Sequence, residues 1–196
     1  MDHAELTARL RAAGCVYAEE EAALLIAEAD SHLTLAEMVA DRERGLPIEQ
    51  ILGWAEFDAI RVFTAPGVFV PRRRSSQLVG LAAAHARAGS VVVDLCCGTG
   101  ALAAAIWARV PDIDVYAADL DPAATACARR NLPPDRVFEG DLFAALPAHL
   151  RHRIDVLVVN APYVPTQAIG AMPPEARDHE HRVALDGGAD GLDVQR

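Results

Sequence analysis

The sequence predicts an α/β fold: an open parallel sheet, preceded by a small helical domain and joined to it by a β-hairpin. Three observations lead there. Short apolar runs at 91–94, 114–118, 136–139 and 154–159 alternate with helical stretches, the pattern of parallel strands joined by right-handed crossovers. Residues 3–53 show helical periodicity and no strand-like alternation. Between the two lies a short, turn-rich segment with β-branched and aromatic residues.

Composition sets the limits. The 196 residues suffice for one ordinary domain with a small appendage, and 52% hydrophobic content supplies a real core. The net charge is −10, and all 18 basic residues are Arg. So acidic a chain is poorly suited to direct binding of duplex DNA or long RNA, where phosphate neutralisation dominates, but it can meet a basic protein partner. No basic-then-apolar leader opens the sequence and no stretch approaches the ~20 apolar residues of a membrane span, so a cytoplasmic protein without membrane contact is expected. Cys15, Cys96, Cys97 and Cys127 have no Cys-x-x-Cys spacing and read as reduced, packed thiols. The pairs His149/His152 and His179/His181 lack Cys or acidic partners at a ligand spacing and read as solvated surface, with no metal site.

The first helix is expected at 5–13, ended by Gly14. A second, over 19–29, carries an apolar stripe at 22, 23, 25, 26 and 29. Thr34 and Glu37 form a capping box for a third, closed by Gly45-Leu46-Pro47. These three make a bundle packed apart from the sheet. Strands at 57–63 and 68–70 should then form a hairpin about Thr64-Ala65-Pro66-Gly67. Pro71 and three consecutive Arg lead into an amphipathic helix over 76–88. Helices are expected at about 101–109, 122–131 and 142–150 between the strands, and loop beyond Pro165. The predicted organisation is a helical domain at 1–53, a hairpin linker at 54–74 and a sheet domain at 75–196, with strands ordered 136, 114, 91, 154 across the sheet.

Ligands of open parallel sheets bind at the carboxyl ends of strands. Each strand here ends in a polar residue: Asp94, Asp119, Asp141 and Asn160. After Asp94 comes Cys96-Cys97-Gly98-Thr99-Gly100, a Gly-rich turn into a helix, whose Gly98, Gly100 and Ala103 satisfy a loose G-x-G-x-x-A pattern. Asp119 follows Gly100 by 19 residues, a spacing that suits an acid bonded to the ribose hydroxyls of an adenosine. A nicotinamide cofactor and S-adenosylmethionine both fit so far. Asp141 suits the adenine amine, or the N-cap of a helix beginning at Leu142.

The last strand end decides between the cofactors. Asn160-Ala161-Pro162-Tyr163 presents a carboxamide, an open carbonyl and an aromatic ring together. Hydride transfer has no use for them, whereas methylation of a planar nitrogen does. The Asn160 oxygen and the Ala161 carbonyl can each accept an N–H, orienting a delocalised lone pair, while Tyr163 stacks on the planar group.

In these residues the chain resembles the protein-(glutamine-N5) methyltransferases that modify peptide-chain release factors, the HemK/PrmC family. The resemblance implies a Rossmann-like, S-adenosylmethionine-dependent methyltransferase sheet. It implies cofactor contacts at Cys96, Cys97, Gly98, Thr99, Gly100, Asp119, Asp141, Leu142 and Asn160, and catalysis by Asn160, Ala161, Pro162 and Tyr163. It also implies a release-factor substrate gripped by the helical domain. Three departures stand out: Ala161 for a Pro of the motif, Cys96 for a loop Gly, and Arg74-Ser75-Ser76 where acids are usual. The family's sheet continues past the Tyr163 loop, so the expectation is a sheet lacking its last strands, with 154–159 as an apolar edge. Two other functions suit the same residues: adenine-N6 methylation of nucleic acid, and a non-catalytic cofactor-binding remnant.

Overall fold

The computed structural model describes residues 2–196. Four helices come first: α1 (His3–Ala12), α2 (Ala18–Glu28), α3 (His32–Glu43) and the short α4 (Ile48–Leu52). Leu6, Leu10, Ala22, Leu25 and Val39 form their common core. Two expectations need correction. The cap of α3 is Ser31, whose hydroxyl accepts the Thr34 N–H at 3.1 Å, so the helix begins three residues before the Thr34 box. The buried face of α2 is Ala18, Glu21, Ala22 and Leu25, leaving Ala23 and Ile26 exposed. An acid lies in that face because Arg42 reaches it from α3: Arg42 Nε donates to Glu21 Oε2 at 2.6 Å.

The hairpin exists, with another turn. β1 (Trp54–Phe57) and β2 (Ile60–Phe63) pair antiparallel with Phe57 opposite Ile60. Their two-residue turn, Asp58-Ala59, takes φ of 51° and 64°, the left-handed geometry whose twist matches a tight hairpin. The segment 64–70 is therefore not a second hairpin arm. Val68 and Val70 are buried, but the Val70 N–H goes to Glu180 Oε1 at 3.0 Å instead of to a strand.

Helix α5 (Ser76–His85) leads into the sheet of β3 (Val91–Leu95), β4 (Asp114–Asp119), β5 (Val137–Glu139) and β6 (Val156–Val159). Between them stand α6 (Ala101–Arg109), α7 (Pro122–Ala128) and two 3-10 turns at Leu142–Ala145 and Ala148–Leu150. All pairings are parallel and the order is β5-β4-β3-β6, as the chain's alternation predicts. One face buries Val92, Ala117 and Val158 among α6 and the hairpin; the other buries Val93, Leu95 and Tyr116 against Leu150. Among the described residues β6 is an edge strand, and its Leu157 and Val159 stay partly exposed.

The C-terminal segment is more than loop. It contains a 3-10 turn at Thr166–Ala171, α8 (Pro174–His179) and a 3-10 turn at Arg182–Ala184. It acts as a strap. Glu175 in α8 pairs with Arg42 at 2.6 Å, and Gln50 of α4 donates to the His179 and Val68 carbonyls, both at 3.2 Å. These bonds tie the helical bundle to the strap and to the 64–70 segment. Among the described residues no helix is long and apolar enough to cross a membrane.

Candidate active site

The carboxyl ends of β3, β4, β5 and β6 line one side of a cleft. After β3 the chain turns through Cys96 and Gly98 with φ of 55° and 54°, in the left-handed region where a side chain is strained. Cys96 accepts that strain at the position where the resemblance expects glycine. The turn is anchored to β4: Cys97 N–H donates to the Ala118 carbonyl at 3.1 Å, and Gly98 N–H to Asp119 Oδ2 at 2.8 Å. A Cβ on Gly98 would find only Phe69 atoms, at 3.9 Å or more, so it would stand in the cleft itself. Gly100 faces the other way, where a Cβ would meet Leu132 at 3.0 Å and Ala128 at 3.3 Å; it serves helix packing and does not line the cleft.

Asp119 accepts the Asp121 N–H on its other oxygen at 2.9 Å. One N–H on each oxygen fixes the carboxylate and leaves lone pairs for hydroxyl donors. Burial raises its pKa, and the N–H groups of Asp121 and Gly98 pull it back. Asp141 stands at the N-cap of the 142–145 turn, yet its side chain makes no capping bond. Its carboxylate faces the cleft beside Leu142, another residue in the left-handed region with φ 44°.

Asp94 departs from the strand-end pattern. It lies within β3, is fully buried, and does not line the cleft. Oδ2 accepts the Ala103 N–H at 3.2 Å and Oδ1 has no partner, so burial pushes its carboxyl up to about 7.

Beyond β6, Asn160 and Pro162 join the cleft lining. Among the described residues neither the Asn160 carboxamide nor the Ala161 carbonyl has a hydrogen-bond partner, although Ala161 itself is buried. Tyr163 is not in the cleft wall. Its ring faces an adjoining cavity of about 590 Å³, where Arg74 bonds its hydroxyl and sits over the ring, 5.8 Å from the centroid. Phe69, Arg72 and Ala184 border both spaces, so the smaller cleft of about 130 Å³ opens on the larger.

The facing wall went unread in the sequence. It consists of Val68, Phe69 and Arg72 on one segment and Val183, Ala184 and Val194 on the strap. Arg72 lies over the Phe69 ring at 4.6 Å and grips both oxygens of Glu180, at 2.7 and 2.8 Å. The Glu180 side chain is wholly buried; desolvation raises its pKa, while Arg72 and the Val70 N–H lower it. His181 is exposed, as expected of it, and places Nδ1 2.6 Å from Asp121 Oδ2. The consecutive Arg in an acidic chain were the one signal pointing to this wall. Of the predicted residues, the cleft gathers Cys96, Cys97, Gly98, Thr99, Asp119, Asp141, Leu142, Asn160 and Pro162, and leaves Gly100, Ala161 and Tyr163 outside its lining.

A parallel sheet with a Gly-rich first turn, a carboxylate at the second strand end and Asn-x-Pro-Tyr at the fourth defines the methyltransferase class, and residues 59–173 match the family model of the methyltransferase small domain. The chain is 40% identical over 177 residues to a release factor glutamine methyltransferase of Streptomyces coelicolor, covering 87% of this chain and 63% of that protein. It is 30% identical over 223 residues to one of Bifidobacterium longum, covering 94% and 75%. It is also 35% identical over 159 residues to a 4-amino-L-phenylalanine/4-methylamino-L-phenylalanine methyltransferase of Streptomyces pristinaespiralis, covering 76% and 54%. The chain belongs to the release factor glutamine methyltransferase family. It spans about 60% of the length of the first relatives it matches.

Proposed function

We propose that this chain carries the site for methyl transfer from S-adenosylmethionine to the side-chain amide nitrogen of a protein glutamine, and that the substrate is a peptide-chain release factor. The observation that carries the reading is the end of β6: an Asn160 carboxamide and an Ala161 carbonyl, both without hydrogen-bond partners among the described residues, next to a cleft with a partly satisfied carboxylate across it. The residues present suit the cofactor. Gly98 leaves the space a Cβ would fill, Asp119 has lone pairs for the ribose, and Asp141 is free to accept from the adenine amine. When bound, S-adenosylmethionine supplies an already activated methyl group.

The protein's own part is to hold the acceptor. A glutamine amide nitrogen is a weak nucleophile because its lone pair is delocalised into the carbonyl. Asn160 and the Ala161 carbonyl each take one N–H, which aims the nitrogen and disfavours that delocalisation. Tyr163, in the wall of the adjoining cavity, offers a flat face for the amide as it enters. No nucleophilic side chain is needed. We assign the helical domain, residues 1–53, to gripping the substrate protein, and the cytoplasm as the site of reaction. The relatives named for release factors favour a protein acceptor, and the charge of −10 disfavours adenine in nucleic acid.

The test is transfer of a labelled methyl group to a release factor, to RNA, to DNA and to 4-amino-L-phenylalanine. Label on a glutamine of the release factor alone is the expected result; label on adenine or on the free amino acid would replace this reading.

A further inference from the structure

His181 joins the strap to the cofactor side of the cleft. Its main-chain N–H donates to the Gly67 carbonyl at 2.7 Å, beside a bridge pairing Gly67 with Glu180. The imidazole then lies flat against Gly67, where a Cβ would come within 2.3 Å of Nε2, so only glycine admits the ring there. From that seat Nδ1 reaches Asp121 Oδ2 at 2.6 Å. The other Asp121 oxygen accepts the Ala123 N–H at 2.9 Å and caps α7. Held at both oxygens, Asp121 directs its own N–H to Asp119 Oδ1 at 2.9 Å.

These contacts form a continuous relay: the 64–70 segment and the strap, then His181, then Asp121, then Asp119. We propose that His181 is a positioning residue for the cofactor site, acting through Asp121 to hold Asp119 in the orientation that takes the ribose hydroxyls. It touches no reacting atom. Its carboxylate partner is only 11% exposed while the ring is about half exposed, so the bond is shielded at the end that matters and the ring can be truncated without opening a core. Because the strap also holds Arg42 and Arg72 through Glu175 and Glu180, seating of the strap and retention of the cofactor are linked. The inference rests on the reading of this cleft as an S-adenosylmethionine site.

Calorimetric titration of S-adenosylmethionine into the full chain, as wild type, His181→Ala and His181→Asn, tests it. Asn keeps an N–H donor near the place of Nδ1. We expect His181→Ala to weaken cofactor binding about tenfold and His181→Asn to recover most of the loss. In steady-state assays the loss falls on the KM for the cofactor, with kcat at saturating cofactor kept within about twofold. Equal affinity of wild type and His181→Ala overturns the positioning role while leaving the cofactor site intact. Equal weakness of the Ala and Asn variants also overturns it, since the donor would then be irrelevant. A wild type that binds no cofactor overturns the site reading itself and this inference with it.

Discussion

The two walls of the cleft are held by different means. On the sheet side each group is fixed by near neighbours: Asp119 takes N–H bonds from Asp121, two residues on, and from Gly98 on the adjacent strand end. On the strap side, Glu180 reaches back over 108 residues to Arg72 and 110 to Val70, and Glu175 reaches Arg42 in the helical bundle. The first wall is backbone geometry repeated from strand to strand. The second is a set of buried or half-buried charges brought together from three parts of the chain. Breaking the first should therefore damage ligand binding locally, and breaking the second should loosen the whole assembly.

The largest effect is expected at Arg42, which satisfies Glu21 in the bundle and Glu175 on the strap. Removing one partner of a buried pair leaves an uncompensated charge, so Arg42→Ala should destabilise the fold by roughly 3–5 kcal/mol in urea denaturation. A loss below about 1 kcal/mol would mean that the bundle and strap do not depend on it.

Asp94 should make stability depend on pH. Burial holds the Asp94 carboxyl at about 7 in the folded protein, against an ordinary value of 3.8. Below about pH 4 both the folded and unfolded forms carry the proton, and the stability this group contributes is fully present. As pH rises towards 7 the unfolded chain releases the proton while the folded one retains it, so stability falls and then levels off above the folded pKa. Urea midpoints measured from pH 4 to 8 should show that fall in the wild type and a flatter profile in Asp94→Asn. Parallel profiles would remove Asp94 from the pH response.

On the sheet wall proper, Asp119→Ala should weaken S-adenosylmethionine binding by ~1–3 kcal/mol, the value of a charge-assisted hydrogen bond, with little change in the urea midpoint. Calorimetry checks the first part and denaturation the second. A stability loss like that of Arg42→Ala would erase the distinction between the walls.

That distinction also explains what the sequence made legible. Strand order could be read because apolar runs alternating with helices leave few topologies, and the strand ends then fall along one edge. Asp119, Asp141 and Asn160 reach the cleft lining by that rule, whereas at β3 it ends the strand one residue too early, since β3 continues to Leu95. The strap was missed because its residues are polar and Pro- and Gly-rich, with no period. Its order comes from Glu180 and His181 bonding to residues more than fifty positions away, which no local pattern records. The hairpin was misplaced because Thr64-Ala65-Pro66-Gly67 has the composition of a turn, whereas the chain turns at Asp58-Ala59, where Asp tolerates positive φ but Ala rarely takes it. At α2, Glu21 breaks the apolar pattern, and only the partner Arg42 makes its burial acceptable.

The central claim is that the end of β6 positions a planar nitrogen for methylation, and Asn160 tests it most directly. Asn160→Ala removes an acceptor that has no hydrogen-bond partner among the described residues, so the fold and the cofactor affinity should change little. Single-turnover methylation of a glutamine-containing release-factor loop, at saturating cofactor, should slow by about a hundredfold, a loss of ~2.7 kcal/mol in the barrier. Asn160→Asp, which keeps an acceptor oxygen, should retain more activity than Asn160→Ala. A rate for Asn160→Ala within a few-fold of wild type would contradict the account and reduce Asn160 to the residue at which a strand stops.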